Sequence, residues 1–68
     1  MQPFEIILNG ESRIVACASV AALLEELQLA GKKVAVERNR EIVRRDQYGE
    51  VSLTAGDQIE IIHFVGGG

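Results

Sequence analysis

Apolar residues along the chain fall into short runs with two different spacings, and the first of them predicts a β-hairpin. The segment 4–8 is rich in strand-forming residues and is followed by Asn9-Gly10 and then by the segment 11–16. Asn-Gly is a strong hairpin signal because both turn residues must accept positive φ. In the second strand the polar and apolar positions alternate only partly. The pattern therefore predicts two antiparallel strands but leaves the inward face of the second strand open.

An amphipathic helix is predicted after the hairpin. Apolar side chains recur there at spacings of three and four residues, which places them on one face of a helix. They are Val20, Leu23, Leu24 and Leu27. Ser19 directly precedes them and is a favourable N-cap residue. Gly31 is a natural helix end, and the lysines at 32 and 33 suit the negative end of the helix dipole, so we expect one helix of about three turns.

The C-terminal half of the chain predicts further strands. Segments 34–36 and 41–43 have the composition of two short strands, with a turn at residues 38–40 between them. Turn-forming residues at 54–57 precede a last strand, 58–64, whose near-continuous apolar run is typical of a central strand covered on at least part of both faces. The order of the elements predicts an α+β fold, with a mixed sheet of four or five strands and one helix packed across it.

Length, charge and cysteine content limit the possible functions. A chain of 68 residues forms one small domain with a thin core, which leaves little room for a deep pocket with its own catalytic residues. The net charge of −3 gives no general attraction to nucleic acid or anionic membranes. A single cysteine excludes an internal disulfide, and the sequence contains neither a signal-peptide pattern nor an apolar run of about 20 residues. We therefore expect a cytoplasmic protein.

Two side chains, Cys17 and His63, are of residue types that can act as a nucleophile or bind a metal. Cysteine is among the residue types that are most often buried, so a structural role for Cys17 is favoured over a nucleophilic one. His63 lies within the last predicted strand and is expected to be partly exposed. One histidine and one cysteine cannot form a structural zinc site alone, so no metal site is predicted.

Basic residues are concentrated in one stretch of the sequence. Six of the seven fall between Lys32 and Arg45, with Glu37, Glu41 and Asp46 interspersed among them. A solvated face of mixed charge is the favoured interpretation, and nucleic-acid binding is disfavoured. A docking surface for an acidic partner is the alternative.

The chain ends in three glycines that directly follow an apolar strand. Glycines have no side chains to pack and lose much backbone entropy when they are ordered. A frayed terminus is one explanation. The other is a slim tail that enters a narrow channel in a partner, since an extended segment 65–68 reaches at most about 14 Å. We predict a domain at residues 1–65 followed by a flexible tail at residues 66–68.

The ending of the chain resembles a known family. The segment Ile59–Gly68, preceded by Ala55-Gly56-Asp57, is similar to the ThiS family of sulfur carriers in thiamine biosynthesis. The Asn9-Gly10 hairpin, the helix after Ser19 and the segment 34–39 share the resemblance, which covers essentially the whole chain. Two positions depart from it, because the family often has Ala in place of Gly66 and Pro in place of Arg44.

The resemblance implies a β-grasp, ubiquitin-like fold and a function for the tail. A ThiF-type, E1-like adenylyltransferase would use ATP and magnesium to convert the Gly68 carboxylate into an acyl-adenylate. Sulfur taken from cysteine by a desulfurase would then give a thiocarboxylate, which donates its sulfur to a ThiG-type thiazole synthase. Phe64, Val65, Gly66 and Gly67 would bind the partners. The chain itself would bind no cofactor and would not be an enzyme.

Three other functions are compatible with the same residues. A carrier resembling the small subunit of molybdopterin synthase would use the same thiocarboxylate chemistry in another pathway. A protein modifier would instead join its terminal glycine to lysines of other proteins. A ubiquitin-like interaction domain would use only its sheet face and would not need the tail.

Overall fold

A computed structural model of the protein describes residues 2–64. Within that range the chain forms β1 (Phe4–Leu8), β2 (Glu11–Val15), α1 (Val20–Glu26), β3 (Val34–Arg38), β4 (Glu41–Val43), a 3-10 helix (Arg45–Gln47) and β5 (Gln58–His63). The strands form one sheet in the order β2-β1-β5-β3-β4. β1 and β5 are parallel, whereas the other three neighbouring pairs are antiparallel. The predicted mixed sheet with one helix is confirmed.

The β1–β2 hairpin has the predicted turn. Asn9 and Gly10 have φ angles of 50° and 82°, which is the left-handed region that Asn-Gly turns require. The register pairs Phe4 with Val15 at the far end of the hairpin. Val15 is buried while Ile14 is 64% exposed, which settles the inward face of β2.

The helix begins as predicted but is shorter than predicted. The Oγ atom of Ser19 accepts a hydrogen bond from the backbone N–H of Ala22 at 3.1 Å, which confirms the N-cap. The helix spans only seven residues and ends at Glu26, so the prediction of three turns with an end at Gly31 is wrong. The lysines at 32 and 33 also lie beyond the last turn, which contains no basic residue.

A C-terminal capping motif explains the early end of the helix. Gln28 has a φ of 63°, and its N–H donates to the carbonyl of Glu25 at 3.0 Å. The N–H of Leu29 donates to the carbonyl of Leu24 at 2.7 Å. These two hydrogen bonds form a Schellman motif, which normally has glycine at the position that Gln28 occupies. No glycine marks position 28 in the sequence, and the next glycine along the chain, Gly31, lies three residues beyond it.

The second hairpin and the final strand differ slightly from the prediction. Arg38 belongs to β3, and the turn consists of Asn39 and Arg40, with φ angles of 52° and 71°. β5 ends at His63, so Phe64 follows the strand.

The core lies between α1 and one face of the sheet. Its fully buried side chains come from the helix and from three strands, and the largest are Ile6, Leu23, Ile59, Val20 and Val36. β5 is central, as predicted, because it lies between β1 and β3. However, Ile61 is buried while its neighbour Ile62 is 59% exposed, and Gln58 and Glu60 on the same face are exposed too. The expectation that β5 is covered on at least part of both faces is therefore wrong. The helix covers one face only.

Candidate functional site

The residues predicted to carry the function follow β5. Phe64 is the last of them within the described range, and its side chain is 55% exposed. Val65, Gly66, Gly67 and Gly68 lie outside the described residues. His63 and Phe64 are therefore the last described residues before the predicted tail, and we call them the tail root.

Strand β3 fixes the position of the tail root. His63 pairs with Val34 at the end of the antiparallel β3–β5 ladder. The N–H of Phe64 donates to the carbonyl of Lys33 at 2.9 Å, which extends the pairing by one hydrogen bond. The chain is thus held by β3 as far as Phe64.

Two asparagines, one on each side of β5, form side-chain hydrogen bonds with the backbone of this strand. The side chain of Asn9 donates to the carbonyl of Ile61 at 3.2 Å and accepts from the N–H of Ile61 at 2.8 Å. On the other side, the side-chain oxygen of Asn39 accepts from the N–H of Gln58 at 2.9 Å. Sequence reasoning assigned both asparagines to turns only. Their position at the tip of a hairpin next to a central strand is the signal that could have indicated this second role.

A buried carboxylate fixes the start of β5. Asp57 is 5% exposed and accepts hydrogen bonds from Arg38 Nε at 2.9 Å and from Asn39 Nδ2 at 3.1 Å. The N–H and the hydroxyl of Thr54 also donate to it, at 2.8 and 3.1 Å. Burial alone would raise the pKa of Asp57, but these hydrogen bonds outweigh burial and hold the pKa below its ordinary value. The sequence indicated a turn here but did not predict this network.

The face of the sheet opposite the helix carries apolar and acidic side chains, and we call it the open face. Strand alternation and the burial of Val15, Val43 and Ile61 on the helix side place their neighbours on the open face. Three of these neighbours are large and exposed, namely Ile14 (64%), Ile42 (76%) and Ile62 (59%). By the strand register, Glu5 lies opposite Ile14, and Glu37 lies opposite both Ile42 and Glu60.

Cys17 and His63 lie in environments that differ in exposure. Cys17 is 8% exposed and belongs to the hydrophobic core, which supports the structural interpretation. Its burial and the nearby carboxylate of Glu26 raise the pKa of its thiol, which disfavours the reactive thiolate. His63 is exposed at the end of β5.

Among residues 2–64, no three side chains of histidine, cysteine, aspartate or glutamate are grouped so that they could hold a metal ion. In the same range, no helix has the length and apolar character needed to cross a membrane.

The order and pairing of the strands, with one helix across a single face, define a β-grasp domain. The model of the ThiS family matches residues 6–68, which includes the three terminal glycines. The chain belongs to the ThiS family.

The chain resembles both a short carrier protein and a much longer protein. It is 52% identical over 50 residues to the sulfur carrier protein ThiS of Bacillus subtilis, covering 74% of this chain and 76% of that protein. It is 48% identical over 65 residues to a thiazole synthase of Paramagnetospirillum magneticum, covering 94% of this chain but only 20% of that protein. The chain thus spans a fifth of the length of that thiazole synthase.

A solved structure confirms the fold. The crystal structure of the thiamine biosynthesis protein ThiS from Geobacter metallireducens superimposes with a TM-score of 0.79. The two proteins are 32% identical, and the match covers 96% of this chain and all of the other.

Proposed function

We propose that this protein is a sulfur carrier of thiamine biosynthesis and that the carboxylate of Gly68 is the group that carries the sulfur. The observation that carries the proposal is that the family match continues through the glycine tail to residue 68. The fold supports it, because the tail root lies at the end of a central strand that neighbours hold on both sides.

The chemistry requires activation because a carboxylate is a poor acyl donor. In the first step the Gly68 carboxylate attacks the α-phosphorus of ATP, pyrophosphate leaves, and an acyl-adenylate forms. A persulfide that a desulfurase forms from cysteine then attacks the carbonyl carbon and displaces AMP, which gives an acyl disulfide. A thiol cleaves this acyl disulfide and is itself oxidised to a disulfide. The product is a thiocarboxylate, whose sulfur passes to the acceptor enzyme. Gly66 and Gly67 give access to a channel that is too narrow for a Cβ atom.

In this proposal the partners supply the catalysis. Residues 2–64 offer a thin core and an exposed sheet face, which suit a protein that is recognised rather than one that encloses a substrate. An E1-like enzyme would supply the ATP and magnesium chemistry, so the carrier would need no resident cofactor and would not itself be an enzyme. The exposed side chains of Ile62 and Phe64, together with Val65, would contact the partner beside the tail. In this role the protein would act in the cytoplasm.

The relatives favour thiazole synthase as the acceptor. A sequence 48% identical to this chain forms part of a longer protein named thiazole synthase. A domain like this one therefore occurs in one polypeptide with the rest of that protein. No comparable observation favours the molybdopterin pathway, which stays the alternative.

A genetic test separates the pathways. The gene should restore growth without thiamine to a strain that lacks its own ThiS, and it should not restore molybdenum-cofactor synthesis to a strain that lacks the small subunit of molybdopterin synthase. The reverse result would assign the carrier to the other pathway. Intact mass of the purified protein should show that Gly68 is its last residue, which the chemistry requires.

A further inference from the structure

We propose that four basic residues beside the tail root, Lys32, Lys33, Arg44 and Arg45, form a docking site for an acidic protein surface. That surface would surround the mouth of the channel that receives the tail on the activating enzyme. This inference rests on the proposed function. We call the four residues the basic cluster.

The fold brings two separate pairs of basic residues to the same end of the sheet. The carbonyl of Lys33 accepts a hydrogen bond from the N–H of Phe64, so the first pair directly precedes β3 beside the tail root. β4 runs antiparallel to β3 and ends with Val43 opposite Val36. Arg44 and Arg45 therefore continue towards the same end of the sheet as the tail root. β4 and β5 are two strand spacings apart, a distance of about 10 Å.

All four side chains are available for binding a partner. Lys32, Lys33 and Arg45 are exposed, and the side chain of Arg44 is 72% exposed. Asp46 lies 3.3 Å from Arg44, and this ion pair at the surface is weak and readily exchanged. Outside the basic cluster and Asp46, the chain carries three of its seven basic residues and nine of its ten acidic ones. The basic cluster is therefore opposite in charge to the rest of the chain.

The short tail explains why a partner must touch this cluster. Four residues beyond Phe64 reach at most about 14 Å when extended. A partner that holds Gly68 in its active site must therefore bring the mouth of its channel against the residues around Phe64. Acidic residues at that mouth would attract the cluster, steer the encounter and orient the tail.

A protein surface fits these charges better than a polyanion does. The chain has a net charge of −3, and Glu5, Glu37 and Glu60 lie on the open face. Nucleic acid presents a continuous negative charge that these side chains would repel. A folded protein can place its own acidic residues against the basic cluster alone.

The test compares two double variants with the same change of net charge. Lys33→Glu/Arg45→Glu alters the basic cluster, whereas Arg13→Glu/Arg40→Glu alters basic residues away from the tail root. Both are first checked for folding by circular dichroism. Binding of each to a ThiF-type adenylyltransferase is measured without ATP at low and high salt. We expect the cluster variant to bind about tenfold more weakly at low salt, with a smaller salt dependence, and the control to stay within about twofold of wild type.

Steady-state adenylation gives the second readout. The cluster variant should raise the KM for the carrier and keep kcat, because the cluster acts on docking and not on the reacting carboxylate. Equal weakening in both variants would show an effect of net charge alone and would overturn the inference. A higher KM for ATP instead would show that the cluster contacts the nucleotide, which would also overturn it. Wild-type protein that binds but never acquires sulfur would count against the proposed function, whereas the binding comparison would still decide the inference.

Discussion

The side-chain amide of Asn9 pairs with the backbone of Ile61 as a neighbouring strand residue would. Its Nδ2 donates to the carbonyl of Ile61 at 3.2 Å, and its Oδ1 accepts from the N–H of Ile61 at 2.8 Å. The parallel pairing of β1 with β5 ends at Leu8 and Ile59, so Asn9 extends the hold on β5 by two residues towards the tail root. A turn residue thus stabilises the strand that leads to the tail root.

Replacing Asn9 by aspartate tests this pairing. Asn9→Asp keeps a residue that tolerates positive φ, but it removes the donor and places a carboxylate oxygen against the Ile61 carbonyl. We expect the free energy of unfolding to fall by about 1–3 kcal/mol. Urea denaturation measures this loss, with the same amide-to-acid change at exposed Gln2 as the control. Equal stability of both variants would mean that the Asn9 bonds contribute nothing.

The hydrogen bonds to Asp57 predict a loss of stability in acid. The pKa of this carboxyl is lowered in the folded protein, so the folded state favours its ionised form. Its contribution is fully present above the ordinary aspartate pKa of about 3.9 and is lost as the pH falls below that value. Asp57→Asn should therefore destabilise the protein by about 2–3 kcal/mol at neutral pH and by less in acid.

The control for this prediction is Asp46→Asn, at the exposed ion pair with Arg44. Its effect on the free energy of unfolding should stay within about 0.5 kcal/mol at every pH. If the difference between wild type and Asp57→Asn did not change with pH, ionisation of Asp57 would not be the source of its contribution.

The sequence predicted most of the fold because its signals were local. The Asn9-Gly10 turn and the Ser19 cap each depend on neighbouring residues, and both were predicted correctly. The apolar face of α1 was predicted correctly at Val20, Leu23 and Leu24, whereas Leu27 lies beyond the last residue of the helix. The helix end was missed because Gln28 adopts the positive φ that usually marks a glycine. Nothing in a single sequence distinguishes such a glutamine from any other.

Long-range contacts around the candidate site could not be predicted in the same way. Asn9 and Ile61 are separated by 52 positions, and Arg38 and Asp57 by 19. Only the register of the folded sheet brings these partners together. The exposure of Ile62 was also missed, because an apolar run does not show which of its residues the helix covers. The importance of the glycine tail came from the resemblance to ThiS rather than from any contact.

The exposed side chain at the tail root should contribute to binding. Phe64 is 55% exposed and lies two residues before the predicted tail, so Phe64→Ser should cost little stability. It should weaken binding to the adenylyltransferase by about tenfold, since aromatic side chains at interface centres often dominate affinity. Ile42→Ser, at an even more exposed apolar residue on β4, is the control for the loss of apolar surface. Equal weakening of binding in both variants would show that the contact is not specific to the tail root.

A methyl group in the tail should block sulfur loading without affecting the fold. Gly67→Ala adds a Cβ atom where the proposed channel admits none, so the rate of loading should fall sharply while the thermal midpoint is unchanged. Gly49→Ala is the matched control, because a Cβ atom built at Gly49 meets no atom within 4 Å. Normal loading of Gly67→Ala would show that the channel does not require a glycine there.

The most direct test of the central claim is the mass of the carrier after reaction. The purified protein is incubated with ATP, magnesium, a ThiF-type adenylyltransferase, cysteine and a cysteine desulfurase, and its C-terminal peptide is then fragmented by mass spectrometry. We predict that sulfur replaces one oxygen atom of Gly68 and that the replacement requires ATP. An unchanged Gly68 under conditions in which a known ThiS protein is loaded would contradict the account.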